Sequence, residues 1–229
     1  MNNVILYEDN HLIAVNKNSG DISQGDKTGD MPLSEKIMAY LKDKYNKKGN
    51  VYLGLIHRLD RPVSGVIVFA KTSKAAARMS EAIKQGAFKK TYWAVVKNAP
   101  PDASGTLENY LIKNEKANKS IVVSAEKNNA KKAILHYTLL ATSDNYHLLQ
   151  IELETGRHHQ IRTQLAHMHC PIRGDVKYGY PRTNPDGSIH LHAYSARFIH
   201  PVTKNEVVIK ALPPDETVWN AFKVILGEM

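Results

Sequence analysis

Val66-Ile67-Val68-Phe69-Ala70 is an uninterrupted apolar run, entered through a turn at Pro62–Gly65. A strand with one wet face alternates apolar and polar residues, whereas a run with no polar break needs cover on both faces. The chain must therefore build a sheet with material packed on each side. Candidate cover is present. Leu33, Ile37, Tyr40 and Leu41 share one face of a helix opened by Pro32. A second helix runs from a Ser73 cap to Lys84 and ends at Gly86. Arg157 to Met168 reads as a third, with Ile161, Leu165 and Met168 aligned. Val218, Phe222 and Ile225 suggest a closing fourth.

Strand-like segments are more numerous. Val4–Tyr7 and Leu12–Asn16 form a hairpin pattern, followed by Val51–Ile56, Lys90–Val96, Tyr146–Glu154, Leu191–Phe198 and Glu206–Lys210. Thr106 to Leu140 carries short strand-like runs between basic loops. Hairpins outnumber crossovers. The expected class is α+β, with a mixed, mainly antiparallel β-sheet flanked by helices. No linker rich in proline, glycine or serine divides the 229 residues, so a single domain over 1–229 is expected.

A net charge of +9 favours polyanionic partners, nucleic acid ahead of an anionic membrane. The N-terminal MNNVILYEDN lacks the parts of a signal peptide, and no apolar run is long enough to span a membrane. A cytoplasmic protein is expected. The single cysteine, Cys170, excludes an intramolecular disulfide and reads as a buried structural thiol.

Three segments carry candidate chemistry. In His57-Arg58-Leu59-Asp60-Arg61-Pro62-Val63-Ser64-Gly65 an acid sits between two arginines, in a turn between apolar strands. Neighbouring guanidinium groups favour the ionised carboxylate that a nucleophile or base requires. A surface ion pair of little energetic worth is the competing explanation. In Glu154-Thr155-Gly156-Arg157-His158-His159-Gln160-Ile161-Arg162-Thr163-Gln164-Leu165, Arg162 lies beside the buried face and calls for a carboxylate partner. Arg157 and His158, at the start of the helix, are placed for a phosphate. In Lys89-Lys90-Thr91-Tyr92-Trp93-Ala94-Val95-Val96, alternation sends Tyr92 and Trp93 to opposite faces, so one ring could stack on a base.

Taken in order, these segments resemble the RluA-type family of pseudouridine synthases. HRLDRPVSG is similar to the family's catalytic motif and KKTYWAVV to its tyrosine-bearing strand. GRHHQIRTQLA, followed by PIRGDVKYG, resembles its arginine motif, and LIAVNKNSG its first strand pair. Val63, Asn18 and His167-Met168-His169 stand where many members have threonine, proline and a glycine-containing segment. The resemblance implies a stand-alone catalytic domain, without the small RNA-binding domain that precedes it in many relatives. It implies isomerisation of uridine to pseudouridine in ribosomal or transfer RNA, without cofactor or metal, by a monomer.

Asp60 would then be the nucleophile at C1′ or the base at C2′. Arg162 would pair with it, and Tyr92 would stack on the uracil. Arg58 would fill the stack vacated by the flipped base. His57, Arg61, Arg157, His158, Leu165 and Lys90 complete the expected RNA- and substrate-binding set. Lysines 42, 44, 47, 48, 89, 90, 131 and 132 are candidate phosphate contacts. Two rivals follow from the residues alone. One is a non-catalytic RNA-binding protein on the same fold. The other is a metal-dependent hydrolase using His190 and His192, a pair that lacks an evident third ligand.

Overall fold

The computed structural model describes residues 3–25 and 29–227. Its elements in chain order are β1 (Ile5–Glu8), β2 (Leu12–Lys17), α1 (Leu33–Lys44), β3 (Gly54–Leu55), β4 (Ser64–Ala70) and α2 (Ser73–Lys84). Then come β5 (Lys89–Val96), β6 (Ser104–Asn114), β7 (Lys119–Val123), β8 (Lys131–Thr142), β9 (His147–Leu153) and α3 (Gln160–His167). A 3-10 turn at Val176–Tyr178, β10 (Leu191–Ile199), β11 (Glu206–Lys210) and α4 (Thr217–Leu226) complete the chain. The α+β expectation holds. The chain divides into two compact units, one of residues 1–90 and 193–213, the other of 91–192 and 214–229.

The first unit is organised by β4. All seven of its residues are buried, as the unbroken apolar run requires. β2 pairs antiparallel along its length, from Leu12 opposite Ala70 to Lys17 opposite Gly65. Leu12, Ala14, Val66, Val68 and Ala70 join Ala196, Phe198, Ile209 and Ala211 in one apolar cluster, covered by Ala75 and Met79 of α2 and by Phe88. Ile13, Val15, Ile67 and Phe69 alternate to the opposite face and are equally buried, as are Leu33, Ile37 and Leu41 of α1. Each such side chain removed from water contributes about 1.5–3 kcal/mol.

Glu8 ties α1 to the sheet. Its carboxylate accepts from Lys44, Lys71 and Tyr45 at 2.8, 2.9 and 2.6 Å. Burial alone would raise its pKa, but these donors outweigh burial and hold it at about 2.

In the second unit the strands pair antiparallel in the order β5-β9-β8-β6-β7. α3 lies against β6 and β7. Gln164 fastens it by donating to the Leu107 carbonyl and the Asn109 amide oxygen at 3.0 and 2.8 Å.

Four expectations need correction. Val51–Ile56 contributes only Gly54 and Leu55 to the sheet, opposite Ala70 and Phe69. β4 already has β2 along one edge and β10 as a neighbour, so only the end of its second edge is open. Thr72, not Ser73, caps α2, its hydroxyl accepting the Ala75 N–H. The short runs expected between Thr106 and Leu140 belong largely to two long strands, β6 and β8. Exposed lysines break their apolar pattern because alternate positions face water. In α4 the buried stripe is Trp219 and Phe222, whereas Ile225 is half exposed.

Gly65 is required where it stands. Its φ is +115°, and a Cβ there would lie 2.5 Å from the Ala193 nitrogen. Gly65→Ala should cost about 3 kcal/mol or more, through strain and backbone collision together. Thermal unfolding checks this: Tm should fall by roughly 10 °C, and an unchanged Tm would show that the two strands can separate freely.

Candidate active site

Asp60 sits in the first unit, in a turn whose backbone oxygens are all engaged. Ser23 Oγ donates to the Leu59 carbonyl at 3.0 Å and accepts the Leu59 N–H at 3.2 Å. The Asp60 carbonyl accepts from the Val63 N–H at 3.0 Å. The Arg61 carbonyl accepts from Gly20 N–H at 2.9 Å and from Lys17 Nζ at 3.2 Å. Ser19 Oγ donates to the Pro62 carbonyl at 3.3 Å, and Lys17 Nζ to the Val63 carbonyl at 2.7 Å. The segment from Lys17 to Ser23 is thus a cradle for the turn from Leu59 to Val63. The Asp60 side chain itself is half-buried.

The flanking residues divide by role. Arg58 is exposed. Arg61 is exposed too, and pairs with Asp30 at 2.7 Å. His57 turns inward: its Nε2 accepts the Val68 N–H at 3.1 Å and its ring packs on Phe88 at 5.2 Å. Burial first, then the charge of Lys90, lowers its pKa to about 3, so the ring is neutral. His57 therefore anchors β4 rather than presenting a charge. Lys90 is itself held below the usual lysine range by burial.

Tyr92 and Arg162 sit in the second unit. Tyr92 and Trp93 face Ile151 and Gln150 across the ladder, and both rings are buried. Arg162 is buried and donates through Nε and Nη2 to the two oxygens of Asp175, at 2.7 and 2.8 Å. The expected carboxylate partner is present within the unit, and it comes from the PIRGDVKYG segment. The Arg162 guanidinium also lies 5.0 Å from the centre of the Tyr178 ring.

The start of α3 differs from expectation. The helix begins at Gln160, after His159 adopts a left-handed conformation with φ 50°. Gln160 Oε1 accepts from the Arg157 N–H and the Thr155 hydroxyl, and this turn displaces the helix start by three residues. Arg157 and His158 thus precede the helix rather than opening it. Arg157 donates to the Lys132 carbonyl at 2.8 Å. The His158 ring meets Ser120 Oγ at 3.0 Å and Asn118 Oδ1 at 3.1 Å, and stacks on His159. His159 is held to about 2 by burial and by Arg162, so its neutral Nδ1 accepts from the Tyr178 hydroxyl at 2.9 Å. Leu165 is fully buried and serves the core.

Among the lysines read as phosphate contacts, Lys44 and Lys132 are committed to Glu8 and Glu108. Lys42, Lys47, Lys48, Lys89 and Lys131 are exposed. Cys170 is buried, and burial raises its thiol pKa. His190 is bonded to Asn184 and Glu216 and stacks on Trp219 at 5.2 Å. Among the described residues, no three His, Cys, Asp or Glu gather as a metal cage.

Lys17, Ser19, Gly20 and Ser23 were not singled out from the sequence, nor were Asp175 and Tyr178. A lysine closing an apolar strand was the available signal for the first group. For the second, it was an acid two turns of chain beyond a buried arginine.

Comparison with known proteins bears on this site. A family model described as RNA pseudouridylate synthase matches residues 11–167. Ribosomal large subunit pseudouridine synthase C of Buchnera aphidicola subsp. Baizongia pistaciae is 34% identical over 218 residues, covering 92% of this chain and 67% of the relative. tRNA pseudouridine synthase C of Vibrio parahaemolyticus is 31% identical over 225 residues, covering 90% of this chain and 89% of the relative. Human RNA pseudouridylate synthase domain containing 4 shares the fold with a TM-score of 0.80 at 24% identity, over 97% of this chain and 93% of that one.

The Arg162–Asp175 pair yields a stability prediction. Asp175→Ala strands a buried guanidinium and should cost about 3–5 kcal/mol. Replacing both partners, as Arg162→Met with Asp175→Leu, should recover part of that loss. Denaturant unfolding of the three variants tests this, and a double variant no more stable than Asp175→Ala would contradict it.

Proposed function

The chain belongs to the RNA pseudouridylate synthase family, and we propose that it isomerises uridine to pseudouridine in ribosomal or transfer RNA, with Asp60 as the catalytic carboxylate. The N1–C1′ bond is cleaved, the uracil turns, and C5 joins C1′. C5 gives up a proton and N1 gains one, so no oxidant, reductant or external group is consumed. Asp60 acts at the sugar, by attack at C1′ or removal of the C2′ proton.

One observation supports this assignment above the others: a half-buried carboxylate stands on a turn whose carbonyls from Leu59 to Val63 are all held. A nucleophile must meet a sugar carbon within tenths of an ångström, and a turn fixed in this way suits that task. A surface ion pair has no need of it. Tyr92 and Arg162 take the roles that the resemblance gives them, at the base and at the acid.

The target base must leave its stack, which costs a few kcal/mol. Exposed Arg58, two residues before the acid, is suited to fill the gap. The remaining exposed lysines and the net charge of +9 supply phosphate attraction. No helix among the described residues is long and apolar enough to cross a membrane. In this reading the protein works on RNA in the cytoplasm, as a monomer and without a cofactor.

Total RNA from a strain lacking the gene is the substrate for the test. It is incubated with wild type or Asp60→Ala, and pseudouridine is mapped by carbodiimide labelling and sequencing. New sites are expected with wild type only. Equal RNA binding by two folded proteins, with no pseudouridine from either, would favour a non-catalytic RNA-binding protein instead.

A further inference from the structure

Lys17 is the largest side chain that is completely buried in the described structure. It closes β2, directly opposite Gly65 at the start of β4. Its ammonium has three N–H donors, and three backbone carbonyls receive them: Asn18 at 2.9 Å, Arg61 at 3.2 Å and Val63 at 2.7 Å. Two of these belong to the turn that carries Asp60. The donor count and the acceptor count match, so the cation fills its site without a free valence.

We propose that Lys17 is a positioning residue for the reaction, its buried ammonium setting the backbone of the Asp60 turn from behind. The proposal rests on the assignment of Asp60 as the catalytic carboxylate. Lys17 does not reach the substrate. It acts by drawing the Arg61 and Val63 carbonyls to one point, which fixes the curvature of the turn and so the direction of Asp60.

A purely structural filler would not be built this way. A buried charge is costly, and a methionine-sized apolar group could occupy similar volume. The charge is retained because three carbonyls converge where a neutral amine could serve only two. Charged groups surround the site: Asp21 and Asp60 favour the ammonium, while Arg61 and Lys36 oppose it. Asp21 is itself held by Lys36 at 2.7 Å and by Asn3 at 2.9 Å. Burial outweighs the two carboxylates and lowers the Lys17 pKa to about 8.

This separates activity from stability. Because the folded pKa lies below the unfolded lysine value, holding the proton in the folded state costs stability below about pH 8. That cost is relieved as pH rises from about 8 toward the unfolded value. On account of Lys17, stability therefore does not fall through this window. Activity should, because the neutral amine releases one carbonyl and the turn loosens.

The experiment compares wild type and Lys17→Met under single-turnover conditions, from pH 6.5 to 9.5. The substrate is RNA from the deletion strain labelled with tritium at uridine C5, and tritium release reports pseudouridine formation. Lys17→Met should bind this RNA with unchanged affinity but turn it over on the order of 100-fold more slowly. The wild-type rate should decline through about pH 8 while its Tm does not. The decline should be missing in Lys17→Met.

A variant that turns over at the wild-type rate overturns the proposal, as does one whose rate and affinity fall together. If Lys17→Met does not fold, the wild-type profile still decides. The Lys17 ammonium is followed by nitrogen-15 NMR, and a rate that stays flat while it titrates overturns the proposal. Wild type that makes no pseudouridine overturns the functional reading and this proposal with it. Active wild type beside an unimpaired Lys17→Met overturns the proposal alone.

Discussion

A backbone carbonyl removed from water must find a donor, and the turn around Asp60 has to satisfy this at five consecutive residues. Ser23, the Val63 amide, Gly20 with Lys17, Ser19, and Lys17 again answer Leu59, Asp60, Arg61, Pro62 and Val63 in order. Each donor but one comes from the segment that follows β2. That segment is held in place because β2 runs along β4 from Leu12 to Lys17. The register in turn depends on the apolar alternation of both strands and on Gly65, which alone permits the approach of Ala193. The path from hydrophobic pattern to site geometry is therefore short. A slip of one residue in β2 would move Lys17 to the other face and remove two of the donors.

The second unit uses the same economy with charge. Arg162 is buried against both oxygens of Asp175, and the Tyr178 ring lies near its guanidinium. The Tyr178 hydroxyl accepts the Ser120 N–H at 2.8 Å and donates to neutral His159. Burial raises the Tyr178 pKa, which keeps that hydroxyl a donor. Fixed polar groups of this kind need no rearrangement when charge develops during a reaction, and that preorganisation is what a catalytic site requires. The cost is a set of buried polar atoms that tolerate no missing partner.

Much of this was legible in the sequence. The unbroken run from Val66 to Ala70 required a sheet covered on both faces, and the buried β4 with apolar residues on either side is its outcome. The hairpin of β1 and β2, helices α1 and α2, and the late strands β10 and β11 follow from periodicity and turn chemistry. Asp60, Tyr92 and Arg162 stood out by motif.

What escaped depended on contacts distant along the chain. Nothing local marks Lys17 as buried, because its partners Arg61 and Val63 are more than forty residues away. Asp175 became the partner of Arg162 only once α3 and the loop after it were placed. The start of α3 moved because Gln160 bonds back to the Thr155–Arg157 turn, a side-chain effect that apolar spacing does not encode. His57 looked like a ligand-facing histidine by its position in a charged motif, yet its ring serves the Val68 N–H.

The most direct test removes only the charge at the centre of the account. Asp60→Asn keeps the shape of the side chain and leaves the turn's backbone donors in place. Its affinity for RNA from the deletion strain and its release of tritium from uridine C5 are measured beside wild type. The account predicts unchanged affinity and no release. Release at the wild-type rate would contradict it, since the carboxylate would then have no part in the chemistry.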